Sequence, residues 1–444
     1  MRKLIIALIV LLHAQLVWPQ SLTEKLDEYL AANTKQRKFN GAALVAKNGQ
    51  VILHKGYGWR DAQKRIPHNE NSIFQIGSVA KQFTAAAVLK LQEQGKLNVQ
   101  DKLTKYIPDY PLGDKITIHH LLTHTSGIFN YTADARFMNV ESARPVALEK
   151  LIGLFKNKPL DFEPGTQYRY SNSGYILLGY IIQQVSGKPY EQFLHELIFR
   201  PLGLQHTGFD FKNLKDANRS VGYMILTTDT LRAAIVDSSV SYAAGSIYST
   251  TGDLYKWHKA LYTDKVLNKS SLEAAFTPFR QQYGYGWVID SIDGKRIIEH
   301  NGGIFGFTSY LTRIPADDVC VILLSNASED LEGIKNTILN ILYNRPYEIP
   351  KERSAIQVPE NVLQQYVGEY QLAPGFNIVI TLENGQLKGQ ATGQPKFDMF
   401  AERQDFFFLK IVEAQVEFVK GADGKIEKLI LHQAGMKQPG KKIK

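Results

Sequence analysis

The chain has 444 residues, a length that predicts two or three domains rather than one. Hydrophobic residues make up 44% and charged residues 21%, which is typical of globular proteins and excludes an intrinsically disordered chain. The formal net charge is +9, but lysine and arginine are spread along the sequence, so a solvated surface is favoured over a nucleic-acid-binding face. Cys320 is the only cysteine, which excludes an intrachain disulfide and a cysteine-based metal site.

The N-terminus has the pattern of a secretory signal peptide. A basic pair at residues 2–3 precedes an apolar core at residues 4–12, which is too short to span a bilayer. Cleavage after Ala14 and cleavage after Gln20 both fit the pattern, and we assign residues 1–20 to the signal. We therefore expect a secreted or periplasmic protein with no stable membrane insertion beyond this segment. An uncleaved N-terminal anchor is the alternative.

The first predicted elements after the signal are a helix, a hairpin and a second helix. Residues 21–36 have helical periodicity after a serine start. Two alternating apolar runs flank Asn48-Gly49, which is a strong β-hairpin signal. The segment that begins at Ser78 is apolar over much of its circumference and predicts a buried helix ending near Gly95.

Strand patterns occur at both ends of the long first part of the chain. A mixed helical and loop region at residues 96–275 separates the hairpin from a second group of strands at residues 283–326. The sequence EGIKNTILNILYN then predicts a closing helix. We predict an α+β domain at residues 21–347, in which one antiparallel sheet is built from both ends and flanked by helices, with a helical subdomain inserted between them.

The last part of the chain has a different composition. Residues 348–358 are polar and contain proline, which is typical of a linker. Residues 359–444 contain short alternating strands with Asn-Gly and Asp-Gly turns at residues 384–385 and 423–424. We predict a small all-β domain, either a meander or a barrel.

Ser78 and Lys81 form the only Ser-x-x-Lys in the chain. On one turn of a helix, side chains three residues apart share a face. A serine hydroxyl is a poor nucleophile until a base takes its proton, and a partly buried lysine with a lowered pKa can be that base. The alternative is that Ser78 caps the helix and Lys81 is solvated.

Tyr170 and Asn172 form the only Tyr-x-Asn. A tyrosinate beside an ammonium can act as a general base on a serine and as a general acid on a leaving group. An asparagine two residues on can bind a substrate amide. In isolation, the segment also fits an ordinary polar loop before the helix YILLGYIIQQVSG.

A third motif, HNGG, begins at His300 after a strand pattern. The Gly302-Gly303 pair lets the backbone come close to a ligand, and a backbone N–H there could complete an oxyanion hole with the N–H of Ser78. His206 begins a similar His-x-Gly, but it follows a helix and a turn instead of a strand. We therefore place the site at His300.

Together these motifs resemble, in kind and order, those of the penicillin-recognising serine hydrolases, in the branch of class C β-lactamases, DD-peptidases and related esterases. The resemblance extends over residues 25–345 and includes HHLLTHTSGI, FEPGTQYRYSNSGY, FRPLGLQHTGF, AAGSIYSTTGDLYKW and YGYGW. It implies a β-lactamase/transpeptidase-like fold for the first domain. The C-terminal unit, with YVGEY and its strand pattern, resembles the lipocalin-like domain that often follows such hydrolases.

The resemblance also implies roles for the motif residues. Ser78 would be the acylated nucleophile, with Lys81 and Tyr170 as the base system. The N–H groups of Ser78 and Gly303 would form the oxyanion hole, and His300 would line the cleft opposite Tyr170. The residues expected to contact the substrate are Asn172, His300, Gly302 and Gly303.

The third motif departs from the family pattern. β-Lactamases of this group usually have Lys-Thr-Gly where this chain has His300-Asn301-Gly302. A lysine there is a fixed cation for a β-lactam carboxylate, whereas histidine is mostly neutral at pH 7. This difference puts efficient penicillin hydrolysis in doubt.

We expect an exported serine hydrolase that acts through an acyl-enzyme on amide or ester bonds of peptide-like, D-amino-acid or β-lactam substrates. The alternatives are a DD-peptidase, D-aminopeptidase or esterase with little β-lactamase activity, and a non-catalytic cell-wall or peptide-binding protein of the same fold.

A zinc site is one interpretation of His120 and His124, because they are four residues apart. Their segment matches the HLLTHTSG loop of the family, which binds no metal. We therefore expect no metal and no cofactor. The expected partner is a small-molecule or peptide substrate, with no nucleic acid, and the expected assembly state is a monomer.

Overall fold

The computed structural model describes residues 20–226, 230–351, 353–410, 414–433 and 436–444. The predicted signal peptide, apart from its last residue, lies outside the described residues. Within them, no helix combines the length and the apolar character that a membrane span requires. The chain divides into two compact units, with the boundary between Pro350 and Lys351.

The first unit is built on a six-stranded antiparallel sheet within the described residues. Two strands come from its N-terminal part and four from its C-terminal part. The first strand pairs with the last, with Val45 opposite Val321 in the register. The prediction of one sheet built from both ends of the domain is therefore confirmed. In spatial order, the strands are Gln50–Tyr57, Gly41–Lys47, Val319–Ser325, Phe307–Ile314, Lys295–Ile304 and Val288–Ile292.

The predicted turn at Asn48-Gly49 joins the first two strands. Their φ angles are 53° and 75°, the left-handed values that a tight hairpin turn requires. Successive residues of the first strand contact opposite hydrophobic layers, with Leu44 in one cluster and Val45 in the other. Helices therefore cover both faces of this sheet.

The helices that cover the two faces come from different parts of the unit. Leu22–Lys35, which begins with a capping box at Ser21, packs with Leu331–Leu342 on one face. Lys81–Glu93 and the central helices lie on the other face. The remaining α-helices are Ile118–Leu122, Leu148–Gly153, Asn172–Ser186, Tyr190–Leu194, Arg200–Leu202, Ser238–Gly245, Thr251–Ala260 and Lys269–Ala275. The 3₁₀ segments are Gly77–Ala80, Leu103–Lys105, Tyr131–Ala133 and Pro315–Asp317, and the π segments are Phe137–Glu141 and His195–Phe199.

Three short ribbons complete the described part of this unit. They pair Trp59–Asp61 with Ile66–Pro67, Phe74–Gln75 with Tyr248–Ser249, and Tyr223–Ile225 with Leu231–Arg232.

The strand predicted from residue 283 begins only at Val288. Tyr283 and Trp287 are fully buried, and Gly286 has a φ of 84°. A Cβ at Gly286 would lie 2.7 Å from the carbonyl oxygen of Lys81. Residues 283–287 therefore form a loop instead of a strand. Its buried side chains and the left-handed Gly286 pack it against the helix Lys81–Glu93.

The second unit is a nine-stranded meander within the described residues. Its first and last strands pair, with Tyr370 opposite Lys442, and a single residue, Met399, separates the two strands at the edges. The sheet is therefore nearly closed and barrel-like, which confirms the predicted all-β unit. Its strands are Gly368–Ala373, Phe376–Glu383, Gln386–Ala391, Phe397–Asp398, Phe400–Arg403, Phe406–Phe408, Ala414–Lys420, Ile426–Gln433 and Met436–Lys442, preceded by the short helices Glu360–Leu363 and Gln364–Tyr366.

The interior of this second unit is filled by aromatic and aliphatic side chains. Tyr366 stacks on Phe418 with 4.3 Å between ring centroids, and Phe407 packs edge-on against both rings. That the unit is lipocalin-like stays a prediction.

Candidate active site

Ser78 lies at the start of the predicted helix, but in a tighter turn than expected. Residues Gly77–Ala80 form a 3₁₀ segment that leads into the α-helix Lys81–Glu93. Gly77 has a φ of 48°, and a Cβ there would lie 2.9 Å from the backbone N of Gly303. Glycine therefore lets the backbone that carries Ser78 approach the strand that carries Gly303.

Three oxygen atoms surround the amine of Lys81. Its Nζ lies 2.9 Å from Ser78 Oγ, 2.8 Å from Asn172 Oδ1 and 2.8 Å from the carbonyl oxygen of Ala244. The side chain is fully buried. Burial lowers the pKa of Lys81 well below its ordinary value, because the protein interior disfavours the charged form.

Two of these three neighbours, Asn172 Oδ1 and the carbonyl of Ala244, can only accept hydrogen bonds, so each takes an N–H of Lys81. The third neighbour of the amine is the hydroxyl of Ser78. The alternative, a solvated Lys81 and a helix-capping Ser78, does not hold, because Lys81 is buried and the 3₁₀ segment has no side-chain cap. The pair has the geometry of a serine and its base.

Tyr170 contacts the same hydroxyl. Its OH donates to Ser78 Oγ over 2.8 Å. Burial raises the pKa of Tyr170 above its ordinary value, so the phenol keeps its proton at neutral pH. The tyrosinate base considered from the sequence is therefore not the resting form. Tyr170 is a hydrogen-bond donor to Ser78, and the roles of Tyr170 and Lys81 in the base system stay a prediction.

Asn172 is oriented by contacts on both sides of its amide. Its Oδ1 accepts from Lys81, and its Nδ2 donates to Thr132 Oγ1 over 3.1 Å. Its backbone N donates to Asn130 Oδ1 over 3.0 Å. Asn172 therefore fixes the lysine amine, a role that adds to the substrate contact predicted for it.

His300 is buried, with 2% of its surface exposed. Its Nδ1 donates to the carbonyl of Asn301 over 2.6 Å, since a carbonyl can only accept, and its Nε2 accepts from Tyr283 OH over 2.8 Å. Burial lowers the pKa of His300 to about 3, because the protein interior disfavours the charged imidazolium. The ring lies 6.3 Å from that of Tyr170, between centroids. It is therefore close to the predicted position, but it is neutral and both its nitrogens have protein partners.

Gly303 lies beside Gly77, the residue before Ser78. Residues 295–299 of its strand pair with the strand Val288–Ile292, which ends there, so Gly303 lies beyond the end of this pairing. A Cβ at Gly77 would lie 2.9 Å from both the N and the carbonyl oxygen of Gly303. That its N–H completes an oxyanion hole stays a prediction.

Gly302 has a packing role in addition to the substrate contact predicted for it, which stays a prediction. It is buried, it lies opposite Ser309 in the register, and a Cβ there would lie 2.1 Å from the carbonyl oxygen of Ile76. Gly302 therefore permits close packing between the strand and the segment before Ser78, because no side chain fits at this position.

Sequence patterns missed three contributors to the site: the carbonyl of Ala244, the hydroxyl of Tyr283 and the ring of His124. Ala244 is 163 residues from Lys81, and a backbone carbonyl leaves no mark on a side-chain pattern. Tyr283 belongs to the segment YGYGW, whose pattern does not show that its hydroxyl binds His300. The only signal for His124 was its position in HHLLTHTSGI.

The other histidines are directed elsewhere. His119 Nδ1 lies 2.8 Å from Tyr285 OH, and His120 Nδ1 accepts from the backbone N of Thr117. His206, the rejected third motif, donates its backbone N to Asp253. In the part of the chain that the structure describes, no cluster of three or more His, Cys, Asp or Glu side chains could bind a metal ion.

Comparison with known proteins gives a family for each unit. The Beta-lactamase family model matches residues 24–343, and a model described as "Domain of unknown function (DUF3471)" matches residues 352–443. Penicillin-binding protein 4* of Bacillus subtilis (strain 168) is 31% identical over 454 residues, covering 96% of this chain and 98% of that protein.

Two further proteins are similar over much of the chain. Teichoic acid D-alanine hydrolase of Staphylococcus aureus is 29% identical over 335 residues, covering 73% of this chain and 79% of that protein. The solved structure of the octameric penicillin-binding protein homologue from Pyrococcus abyssi has a TM-score of 0.69 at 25% identity, covering 94% of this chain and 99% of that one. This chain therefore belongs to the β-lactamase family and is a serine hydrolase.

Proposed function

We propose that this chain is an exported hydrolase of uncharged esters and amides, with Ser78 as the nucleophile, Lys81 as its base and Tyr170 as the acid for the leaving group. The observation that carries the proposal is the amine of Lys81. Two of its three neighbours are carbonyl oxygens, and the third, at 2.9 Å, is the hydroxyl of Ser78. In the proposed resting state Lys81 is neutral, and its two N–H groups donate to the two carbonyl oxygens. Its lone pair then faces the Ser78 hydroxyl, so Lys81 can take the serine proton.

Acylation then proceeds in two stages. Ser78 Oγ forms a bond to the substrate carbonyl carbon while its proton passes to Lys81 Nζ. The negative charge on the carbonyl oxygen is stabilised by the N–H groups of Ser78 and Gly303. The bond from carbon to the leaving oxygen or nitrogen breaks as the phenol proton of Tyr170 moves to that atom.

The proton balance closes between Lys81 and Tyr170. The Lys81 ammonium formed in the first stage, with Nζ 4.9 Å from the centre of the Tyr170 ring, restores the phenol proton. Water then attacks the acyl carbon and gives a proton to Lys81 Nζ. As the bond from that carbon to Ser78 Oγ breaks, the Lys81 ammonium returns this proton to Oγ, 2.9 Å away. After one turnover Ser78, Lys81 and Tyr170 are all neutral again. This agrees with their burial, which disfavours the charged form of each group.

The third motif supports substrates without a carboxylate beside the scissile bond. Its His300 is neutral, and its nitrogens are engaged by Tyr283 and by the carbonyl of Asn301. A buried neutral ring offers no cation to a substrate carboxylate. The name of the S. aureus relative, teichoic acid D-alanine hydrolase, supports a D-amino-acyl ester as the substrate.

A matched pair of esters tests this substrate preference. We expect N-acetyl-D-alanine methyl ester to be hydrolysed with a kcat/KM about 10-fold or more above that of N-acetyl-D-alanyl-D-lactate, because the second leaving group brings a carboxylate that finds no cation. Steady-state kinetics with both esters measures the preference. The L-alanine methyl ester tests the stereochemistry, and a chromogenic cephalosporin tests the hydrolysis of a β-lactam. Faster turnover of the carboxylate-bearing ester or of the cephalosporin would contradict it.

We also propose that the protein is a monomer outside the cytoplasm. The basic and apolar N-terminal pattern and the penicillin-binding relatives support export. Light scattering on the purified full chain is expected to give the 50.1 kDa of one copy. An eight-fold larger mass, as for the octameric P. abyssi homologue, would contradict the monomer.

Fractionation of the producing cells tests the location, and recovery only in the cytoplasm would contradict export.

A further inference from the structure

We propose that His124 is a positioning residue that holds Tyr170 against Ser78. The inference rests on the proposed function, in which Tyr170 delivers the leaving-group proton. His124 lies two residues after the short helix Ile118–Leu122, with 1% of its surface exposed.

The backbone and the side chain of His124 bind the residues on both sides of Tyr170. The carbonyl oxygen of His124 accepts from the backbone N of Arg169 over 3.0 Å. Its Nδ1 accepts from the backbone N of Ser171 over 3.2 Å. Its ring packs against the ring of Tyr170 itself, with 4.1 Å between centroids and an angle of 38° between the planes. His124 thus contacts Arg169, Tyr170 and Ser171, and so it fixes the position of the segment that carries the phenol.

These contacts need a neutral imidazole with the proton on Nε2. Nδ1 can accept from the N–H of Ser171 only while it carries no hydrogen. Burial lowers the pKa of His124 well below its ordinary value, because the protein interior disfavours the charged ring. The ring therefore keeps its acceptor. Nε2 has no hydrogen-bond partner among the described residues, so the ring is present for its packing and for Nδ1.

The backbone of His124 is in an uncommon conformation, which indicates that the surrounding structure imposes it. Its φ is 56°, in the left-handed region that only a few per cent of non-glycine residues adopt, although histidine is found there more often than most. Strain of this kind is found at functional sites where the surrounding structure imposes it. Here the left-handed turn is what allows one residue to present both its carbonyl and its ring to the segment around Tyr170.

The position of the phenol matters most for substrates with poor leaving groups. An ethoxide leaves only if it receives a proton, whereas p-nitrophenolate leaves without one. A displaced Tyr170 should therefore slow an ethyl ester more than a p-nitrophenyl ester of the same acid. A general loss of stability would lower both rates by the same factor, so the ratio of the two rates separates positioning from folding.

The experiment compares the two esters in full-length His124→Phe, His124→Asn and Tyr170→Phe variants and in the double variant. Phenylalanine keeps the ring but removes the acceptor for Ser171, and we expect a loss of about 100-fold in kcat for the ethyl ester with less than about 10-fold for the p-nitrophenyl ester. Asparagine keeps an acceptor at Oδ1 and tolerates positive φ, so it should show a smaller loss of the same kind. His124→Phe should cost nothing further when Tyr170 is already phenylalanine.

His68 offers a matched control. It is also buried, stacks on Phe74 with 5.1 Å between centroids, and has its Nε2 3.0 Å from Asn326 Oδ1. His68→Phe should leave the ratio of the two ester rates unchanged. Equal losses on both esters in the His124 variants, or full additivity with Tyr170→Phe, would overturn the proposal. If Tyr170→Phe itself lowers both rates equally, the assignment of Tyr170 fails instead.

Discussion

Replacement of Ser78 by alanine is expected to lower kcat/KM for the preferred ester by about 10⁴-fold or more. The loss follows because the acyl-enzyme forms on Ser78 Oγ, the atom on which the phenol of Tyr170 and the amine of Lys81 converge. Steady-state kinetics with wild type and variant at matched concentrations measures the loss. Circular dichroism and thermal unfolding show whether the variant is folded.

Ser186→Ala serves as the control for this prediction. Ser186 ends the helix Asn172–Ser186, so the substitution removes a hydroxyl from an element of the site without touching the nucleophile. It should retain wild-type kcat/KM. A folded Ser78→Ala variant with more than a few per cent of wild-type activity would contradict the assignment of Ser78.

Replacement of Lys81 by methionine is expected to lower kcat by about 10²- to 10⁴-fold, because it removes the base that takes the serine proton. In wild type, kcat/KM should fall as the pH is lowered through the depressed pKa of Lys81, since the protonated amine can no longer accept that proton. The pH profile of wild type measures this directly. Lys90→Met, on the same helix with its amine at Glu93, should leave the profile unchanged.

The same lowered pKa predicts how stability depends on pH. In the unfolded chain, lysine titrates at about 10.4. Between the depressed pKa of folded Lys81 and that value, the unfolded state binds one more proton, so the free energy of unfolding rises with pH. Lys81→Met should reduce this rise. Denaturant unfolding of both proteins at several pH values above neutrality measures it, and identical pH dependence would contradict a neutral buried amine.

Local signals were sufficient for much of the fold. The Asn48-Gly49 turn, the apolar helix that follows Ser78 and the strands from both ends of the domain were readable because each depends on neighbouring residues. The spacing of Ser78 and Lys81 was readable for the same reason. The tight 3₁₀ turn at Ser78 was not, since it depends on the close approach of Gly77 to Gly303, a strand distant in sequence.

The protonation states in the site were beyond the reach of the sequence. Whether Tyr170 or Lys81 is the base depends on burial and on the carbonyl of Ala244, which only the folded structure brings to the amine. His300 was expected to be mostly neutral from its chemistry alone. The hydrogen bond to its Nε2 comes from Tyr283. Tyr283 lies in a loop that the sequence predicted to be a strand.

The central claim is that Ser78 forms a covalent acyl-enzyme, and active-site labelling tests it most directly. Full-length protein is incubated with a fluorophosphonate, and its intact mass and peptide map are measured. We predict one adduct per chain, located on the peptide that contains Ser78, and a much slower reaction in Lys81→Met. Absence of an adduct on folded wild-type protein, or an adduct on a different residue, would contradict the account.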